Sequence, residues 1–272
     1  VVQEVNGAYE DLFAAWPWTR HFRRYFEGLM RTQYRNADAL ITVTGDLASW
    51  LTVDTGREDV AVIPNGANTE LFTPSAKPMR GLPEKYVVFF GAFAMWQGLD
   101  TLVAASEDQE WPADVALLLA GDGAARPLVE EAASRNPRIR YLGTISYEDM
   151  PGLVVGSIAG VSPQGHAGGR SEAGLSPLKV FETLSCGVPV VVTDFPGQAE
   201  LVRDNNVGYV IPADDPKSLA RAVKALVANP DKAHKMGMRG RGLIETSHSW
   251  DSRAGATAKI LEGVIARRKA MS

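Results

Sequence analysis

Lys179 and Glu182 stand three residues apart in Ser176-Pro177-Leu178-Lys179-Val180-Phe181-Glu182-Thr183-Leu184-Ser185-Cys186-Gly187, a stretch that reads as one short helix. Residues three apart share a helix face, so an ammonium and a carboxylate project to the same side. Ser176 can cap the helix, and Pro177 suits its first turn, where a missing N–H costs nothing. Free N–H groups at a helix N-terminus attract anions. The lysine adds a charge-assisted contact to phosphate, and the glutamate can accept from paired hydroxyls. This spacing therefore offers recognition of an anion that carries hydroxyls. Gly187 falls where a helix end wants a left-handed residue. The apolar run Val190-Val191-Val192-Thr193 after Pro189 reads as a strand buried on both faces, as in a parallel sheet.

The flanking sequence predicts elements that would hold this segment. From Tyr86 onward strands and helices alternate: strands at Tyr86–Phe90, Val115–Ala120, Ile139–Leu142, Ile158–Val161 and Gly208–Ile211. Helices are expected at Leu99–Ser106, Arg126–Arg135, Tyr147–Leu153, Pro216–Ala228, Asp231–Arg239 and Asp251–Lys269. That rhythm means a mostly parallel sheet with right-handed crossovers. Ligands in such sheets bind beyond the C-terminal strand ends. The loops there are Gly91–Gly98, the tight turn Gly121-Asp122-Gly123, the backbone-rich Gly143-Thr144-Ile145-Ser146, and a long polar loop from Ser162 to Leu175. Arg170 in that loop could meet a phosphate bidentately. A solvent-facing loop accounts for Arg170 and His166 equally simply.

Before this run lies a shorter α/β stretch with too few strands for a complete doubly wound sheet. Strands are expected at Val1–Val5, Ala39–Val43 and Asp59–Ile63, and Asp46 can cap a helix reaching Leu51. Between Thr19 and Ala37, His21, Phe22, Tyr25, Phe26, Leu29, Met30, Gln33 and Tyr34 form a helical apolar stripe. Arg20, Arg23, Arg24, Arg31 and Arg35 lie among them; a solvated helix face explains the cluster, and contact with an anionic membrane surface is the other reading. Three prolines between Thr73 and Pro83 mark a linker.

Composition narrows the classes. The 272 residues carry a formal net charge of −4, which supplies no basic excess for nucleic acid. Cys186 is the single cysteine and reads as a small buried filler rather than a nucleophile. No apolar stretch approaches the ~20 residues that span a bilayer. The four histidines are too dispersed for a zinc motif, and neither a GxSxG elbow nor a Walker lysine loop is present.

Several of these segments, in this order, resemble the GT-B glycosyltransferases of family four, the large group-one family. They are Ala61-Val62-Ile63-Pro64-Asn65-Gly66 through Leu71-Phe72, similar to the hinge between that family's two Rossmann-like domains; Gly121-Asp122-Gly123; Tyr141-Leu142-Gly143; and Phe181-Glu182 with Ser185 to Val191. The resemblance implies an α/β GT-B fold with one complete doubly wound, Rossmann-like domain and the C-terminal remnant of a second. The remnant would occupy residues 1–72, the linker 73–83, the nucleotide-sugar domain 84–249, and a helix crossing back 250–272. Roughly a hundred residues of the first domain would precede Val1, and the family's acceptor-side catalytic residues with them.

The resemblance further implies a retaining transferase that moves a sugar from a nucleotide-diphosphate sugar to a saccharide, lipid-linked or small-molecule acceptor, with no cofactor and no essential metal. Glu182 matches the second glutamate of the family's E-x7-E signature, which accepts from ribose hydroxyls. The backbone N–H groups around Leu178 and Lys179 would receive the diphosphate, with Ser176 and Pro177 beside them; Gly91 would line the donor, and Thr144 and Ile145, in the loop through Ser146, would flank the base. Three departures stand out. Gly174 occupies the place of the first glutamate, and Ala92 and Gln97 fall where the family carries an arginine and a lysine. Lys179, with Arg170 second, would then take over the phosphate contact. The same departures favour an alternative, a catalytically degenerate sugar-nucleotide-binding or scaffolding module. The expected location is the cytoplasm or the inner face of the membrane as a peripheral protein, and an incomplete first domain would leave apolar surface for association between copies.

Overall fold

The computed structural model describes residues 1–166 and 171–271, which build two parallel sheets. The smaller has three strands, β1 (Val2–Val5), β2 (Ala39–Thr42) and β3 (Val60–Val62), in that order. Its connections are α1 (Tyr9–Ala15), a 3₁₀ turn (Pro17–Phe22), α2 (Arg23–Asn36) and α3 (Gly45–Thr55).

Local chemistry corrects two expectations here. The single helix expected over Thr19–Ala37 is instead a 3₁₀ turn followed by α2, because Pro17 opens a tight turn in which both the amide and the hydroxyl of Thr19 donate to the Trp16 carbonyl, at 2.9 and 2.6 Å. Its apolar stripe is not a core stripe: Tyr34 is buried, Phe26 and Met30 are partly so, and His21, Phe22, Tyr25, Leu29 and Gln33 are exposed. The cap of α3 is Thr44 rather than Asp46. Its hydroxyl accepts from the Leu47 amide at 3.2 Å, and the helix runs past Leu51 to stop at left-handed Gly56.

The larger sheet holds β4 (Tyr86–Phe90), β5 (Ala116–Ala120), β6 (Ile139–Gly143), β7 (Ala159–Ser162), β8 (Val190–Thr193) and β9 (Gly208–Ile211), ordered β6-β5-β4-β7-β8-β9. All neighbouring pairs are parallel. Chain connections run outward in both directions from β4 and β7, which opens a crevice at their C-terminal ends. The connecting helices are α4 (Leu99–Glu107), α5 (Arg126–Arg135), α6 (Met150–Val154), α7 (Leu178–Ser185), α8 (Gln198–Asn205) and α9 (Pro216–Ala228).

Both faces of β4 are buried. Val87 and Phe89 join the core containing Leu102 and Val223, while Tyr86, Val88 and Phe90 join that of Phe72, Leu153 and Cys186. Each such buried side chain contributes roughly 1.5–3 kcal/mol. Burial pushes the Cys186 thiol up to about 12, which suits a packing role.

The helix expected over Asp231–Arg239 continues as α10 (Pro230–Ser247). Its glycines do not stop it; they let it lie against α7. A Cβ on Gly237 would sit 1.9 Å from the Gly187 carbonyl oxygen. Arg241 of α10 then fastens the chain before β4, donating to the carbonyls of Thr69, Phe72 and Ser185 at 3.0, 2.8 and 3.0 Å.

The chain returns to the first sheet beside Ala67, whose amide donates to the His248 carbonyl at 2.9 Å and whose carbonyl accepts from the Trp250 amide at 3.1 Å. From there α11 (Trp250–Met271) runs along β1–β3. Arg253 anchors it. Its guanidinium donates to the carbonyls of Ile63 at 2.7 Å and Pro64 at 3.2 Å and pairs with Glu4, whereas Trp250 stays 37% exposed. Arg268 pairs with Asp38 at 2.8 Å further along. Arg253→Ala removes these hydrogen bonds and should cost the first sheet about 1–3 kcal/mol. Hydrogen exchange should then speed up at Val2–Val5 and stay unchanged at Val87–Phe89; equal acceleration at both would refute a local anchor.

Candidate functional site

A cleft of about 560 Å³ lies between the two sheets at the β4/β7 crevice. The first sheet contributes Asn6, Gly7, Asp11 and Val43; the larger contributes Gly91, Gln97, Ile145, Gln164 and the segment Gly174 to Lys179 with Glu182. Eight of the expected residues thus meet there: Gly91, Ile145, Gly174, Ser176, Pro177, Leu178, Lys179 and Glu182. Thr144 does not line the cleft. It follows the left-handed Gly143 and is exposed, while the half-buried Ile145 and the edge of the exposed Tyr147 line the cleft. Arg170 lies outside the described residues. The turn Gly121-Asp122-Gly123 is not part of the lining; its Asp122 carbonyl accepts from the Phe93 amide at 2.8 Å.

The entry to α7 differs from the expected cap. Helical residues begin at Leu178, and Pro177 takes the cap position in an extended conformation without a side-chain hydrogen bond. Ser176 is engaged elsewhere: its hydroxyl accepts from the Asn65 amide at 3.1 Å, and its carbonyl accepts from the Asn65 side chain at 2.6 Å. The helix therefore opens onto the cleft with no side chain covering its first amides. Such an uncovered terminus is an anion site.

Lys179 and Glu182 are each 8% exposed. The Lys179 ammonium donates to the Gln97 side-chain oxygen at 2.6 Å and sits 4.0 Å from the centre of the Phe89 ring. Burial lowers its pKa to about 7, against the pull of Glu182. Burial likewise raises Glu182 to about 7, opposed by Lys179 and by the Tyr147 hydroxyl. Both groups thus titrate near neutrality, and a ligand that matched their charges would favour the ionised pair.

Gly174 has a physical reason to be glycine. Its φ is +98°, and a Cβ there would lie 2.5 Å from the Thr44 hydroxyl oxygen. A glutamate there would be strained by that φ and would have to displace the Thr44 side chain. Sequence reasoning passed over Asn65, Tyr147 and Gln164 as site residues. Gln164 was discoverable from its place just past β7, at the crevice; it is 4% exposed, and its side-chain oxygen has no hydrogen-bond partner among the described residues. Asn65 and Tyr147 acquire their roles through contacts that no local pattern announces. Among the described residues, no group of His, Cys, Asp and Glu is placed to hold a metal, and no helix is long and apolar enough to cross a membrane.

Residues 84–229, more than half of the chain, match the family model described as glycosyl transferases group 1. Similar curated proteins include a phosphatidyl-myo-inositol mannosyltransferase of Mycobacterium leprae, 30% identical over 211 residues that are 75% of this chain and 54% of that protein. A GDP-mannose-dependent alpha-(1-6)-phosphatidylinositol monomannoside mannosyltransferase of Mycolicibacterium smegmatis is 26% identical over 220 residues, 76% of this chain and 57% of that one. The chain thus spans about half the length of these curated relatives. Among solved structures, a sucrose-phosphate synthase from Thermosynechococcus elongatus superposes with a TM-score of 0.75 at 23% identity, covering 91% of this chain and 62% of that one. Anabaena HepE in complex with UDP and glucose gives 0.76 at 19% identity, covering 96% and 71%. The fold is that of the GT-B glycosyltransferases, and the chain belongs to the group 1 glycosyl transferase family.

Proposed function

We propose that this chain supplies the donor side of a retaining glycosyltransferase, binding a nucleotide-diphosphate sugar in the cleft and passing its sugar to an acceptor hydroxyl. One observation carries the reading: the uncovered N-terminus of α7 faces the cleft with Lys179 and Glu182 on one side of the same helix. In it, the first amides of α7 and Lys179 receive the diphosphate, and Glu182 accepts from the ribose diol. The acceptor oxygen bonds to the anomeric carbon as the bond from that carbon to the phosphate oxygen breaks; the electron pair and the acceptor's proton pass to the departing diphosphate. Helix amides and lysine stabilise the charge that develops there, which is where electrostatic catalysis acts. The names of the mycobacterial relatives make GDP-mannose the first donor to try.

A second reading, a binding module without turnover, is favoured by Gly174, where a glutamate would be strained, and by Ala92 and Gln97 in the lining where cations were expected. The two share nucleotide binding and separate on transfer: release of GDP from GDP-mannose, dependent on acceptor, supports the first, and binding without release supports the second.

Saturating GDP, UDP or ADP, about a hundred times its dissociation constant, should stabilise the folded chain by about 2.7 kcal/mol. At this size that raises Tm by about 5–10 °C. No shift with any of the three at millimolar concentration would refute the donor site. Glu182→Ala should weaken the nucleotide by about 10- to 100-fold, the worth of a charge-assisted hydrogen bond. Lys179→Ala should weaken the diphosphate much more than the nucleoside, and equal losses would contradict a phosphate contact.

The pKa shifts also set a pH profile. Above about 7 the free lysine is neutral, so diphosphate binding must recruit a proton and affinity falls as pH rises. Below about 7 the free glutamate is protonated, and affinity for the diol falls as pH drops. Titration calorimetry should give a bell centred near neutrality, and Lys179→Arg, charged throughout, should flatten its alkaline limb. A flat wild-type profile between pH 6 and 8, on the order of those shifted values, would contradict both assignments.

A further inference from the structure

We propose that the surface formed by the 3₁₀ turn Pro17–Phe22 and the start of α2 seats this protein on an anionic membrane surface. This face plays no part in the donor reading and does not depend on it. Five large apolar side chains stand out of it within fourteen positions: Trp16 is 56% exposed, Trp18 60%, Phe22 59%, Tyr25 66% and Leu29 45%. Phe22, Tyr25 and Leu29 follow helical spacing along one side of α2. They are held outward rather than collapsed. Pro17 and the buried Thr19 fix the turn, and the Trp18 and Tyr25 rings meet Phe26 edge-on at 6.0 and 5.5 Å, Phe26 itself being packed on the core of the first sheet.

Charge singles out the partner. Between Trp16 and Asn36 the sequence has five arginines and one acidic residue, Glu27, in a chain whose net charge is −4. Arg23 pairs with Glu10 and Glu27, and Arg31 with Asp54. Arg20 and Arg24, flanking the exposed rings, are themselves exposed and form no ion pair among the described residues. A soluble partner matched to apolar rings alone would not need these cations. A layer that is apolar a few ångströms in and negatively charged at its surface matches both features, and Trp and Tyr are the side chains that favour that boundary.

The geometry also relates this face to the cleft. Asp11 lines the cleft from α1, and Trp16 follows that helix directly. The seven residues of α1 span about 10 Å, so the rings sit about one short helix from the first-sheet wall of the cleft. Docking through them would hold the cleft close to the lipid headgroups.

The test is co-sedimentation of the protein with vesicles of phosphatidylcholine alone and of phosphatidylcholine mixed equally with phosphatidylglycerol, with tryptophan emission recorded. Binding to the anionic vesicles only, weakening with added salt and shifting emission to the blue, is expected. Arg20→Glu with Arg24→Glu, and separately Phe22→Ser with Tyr25→Ser, should each weaken it by tenfold or more. Both pairs are surface changes, and an unaltered circular dichroism spectrum and melting temperature would show that the fold survives. No binding to either vesicle, or binding that both double variants retain, overturns the proposal. So does a concentration-dependent dimer that the same substitutions dissolve, since a second copy would then be the occupant. The nucleotide-induced melting shift should be the same in these variants as in the wild type, so failure of one reading leaves the other standing.

Discussion

The hydrogen bonds between Asn65 and Ser176 tie the exit of the first sheet to the entry of α7 across 111 residues of sequence. Together with the Thr44 hydroxyl, which donates to the Ala173 carbonyl at 3.4 Å, they set the two halves of the cleft against each other. With them, Ser176 is removed from the helix cap, and the first amides of α7 are left to face the cavity. A serine one residue before a proline and a helix would ordinarily satisfy its own helix. Here the inter-sheet contact outcompetes the local one, and the helix terminus stays open.

The electrostatics of the cleft follow from that arrangement. Burial drives Lys179 and Glu182 towards their neutral forms, and the lysine rests on an amide oxygen and an aromatic face instead of a carboxylate. Gln97 and Phe89 hold the ammonium without neutralising it. A site arranged in this way keeps its cation soft and close to hand, and a dianionic ligand completes what the protein leaves unfinished.

Much of this was legible in the sequence because it is local. The segment α7, its left-handed stop at Gly187 and the buried β8 follow from spacing, glycine and an apolar run; α5 and α9 each open on their own proline, and Asp215 caps α9. The crevice itself follows from strand–helix alternation. What stayed hidden depends on meetings in space. The partner of Ser176, the hydroxyl that crowds any side chain at Gly174, and the amide that holds Lys179 all come from distant segments. The inward turn of Ile145 rather than Thr144 hangs on a single left-handed glycine. The apolar stripe of α2 misled for a different reason: periodicity reveals that a helix has an apolar side, not whether protein lies against it.

The way the two sheets are joined restricts how they can move. Arg241 locks residues 69–72 to α7, so this stretch travels with the larger sheet. Only about Ile63 to Asn68 and Ser247 to Trp250 remain as crossings, and they run side by side, paired through Ala67. Two parallel straps bonded to each other bend readily about the line that joins them and resist twisting. The mechanical consequence is a single swing: the sheets can part like covers on one spine, with Thr44 against Ala173 and Gly174 as the clasp. Breaking that clasp changes the width of the opening while leaving the facing surfaces in register.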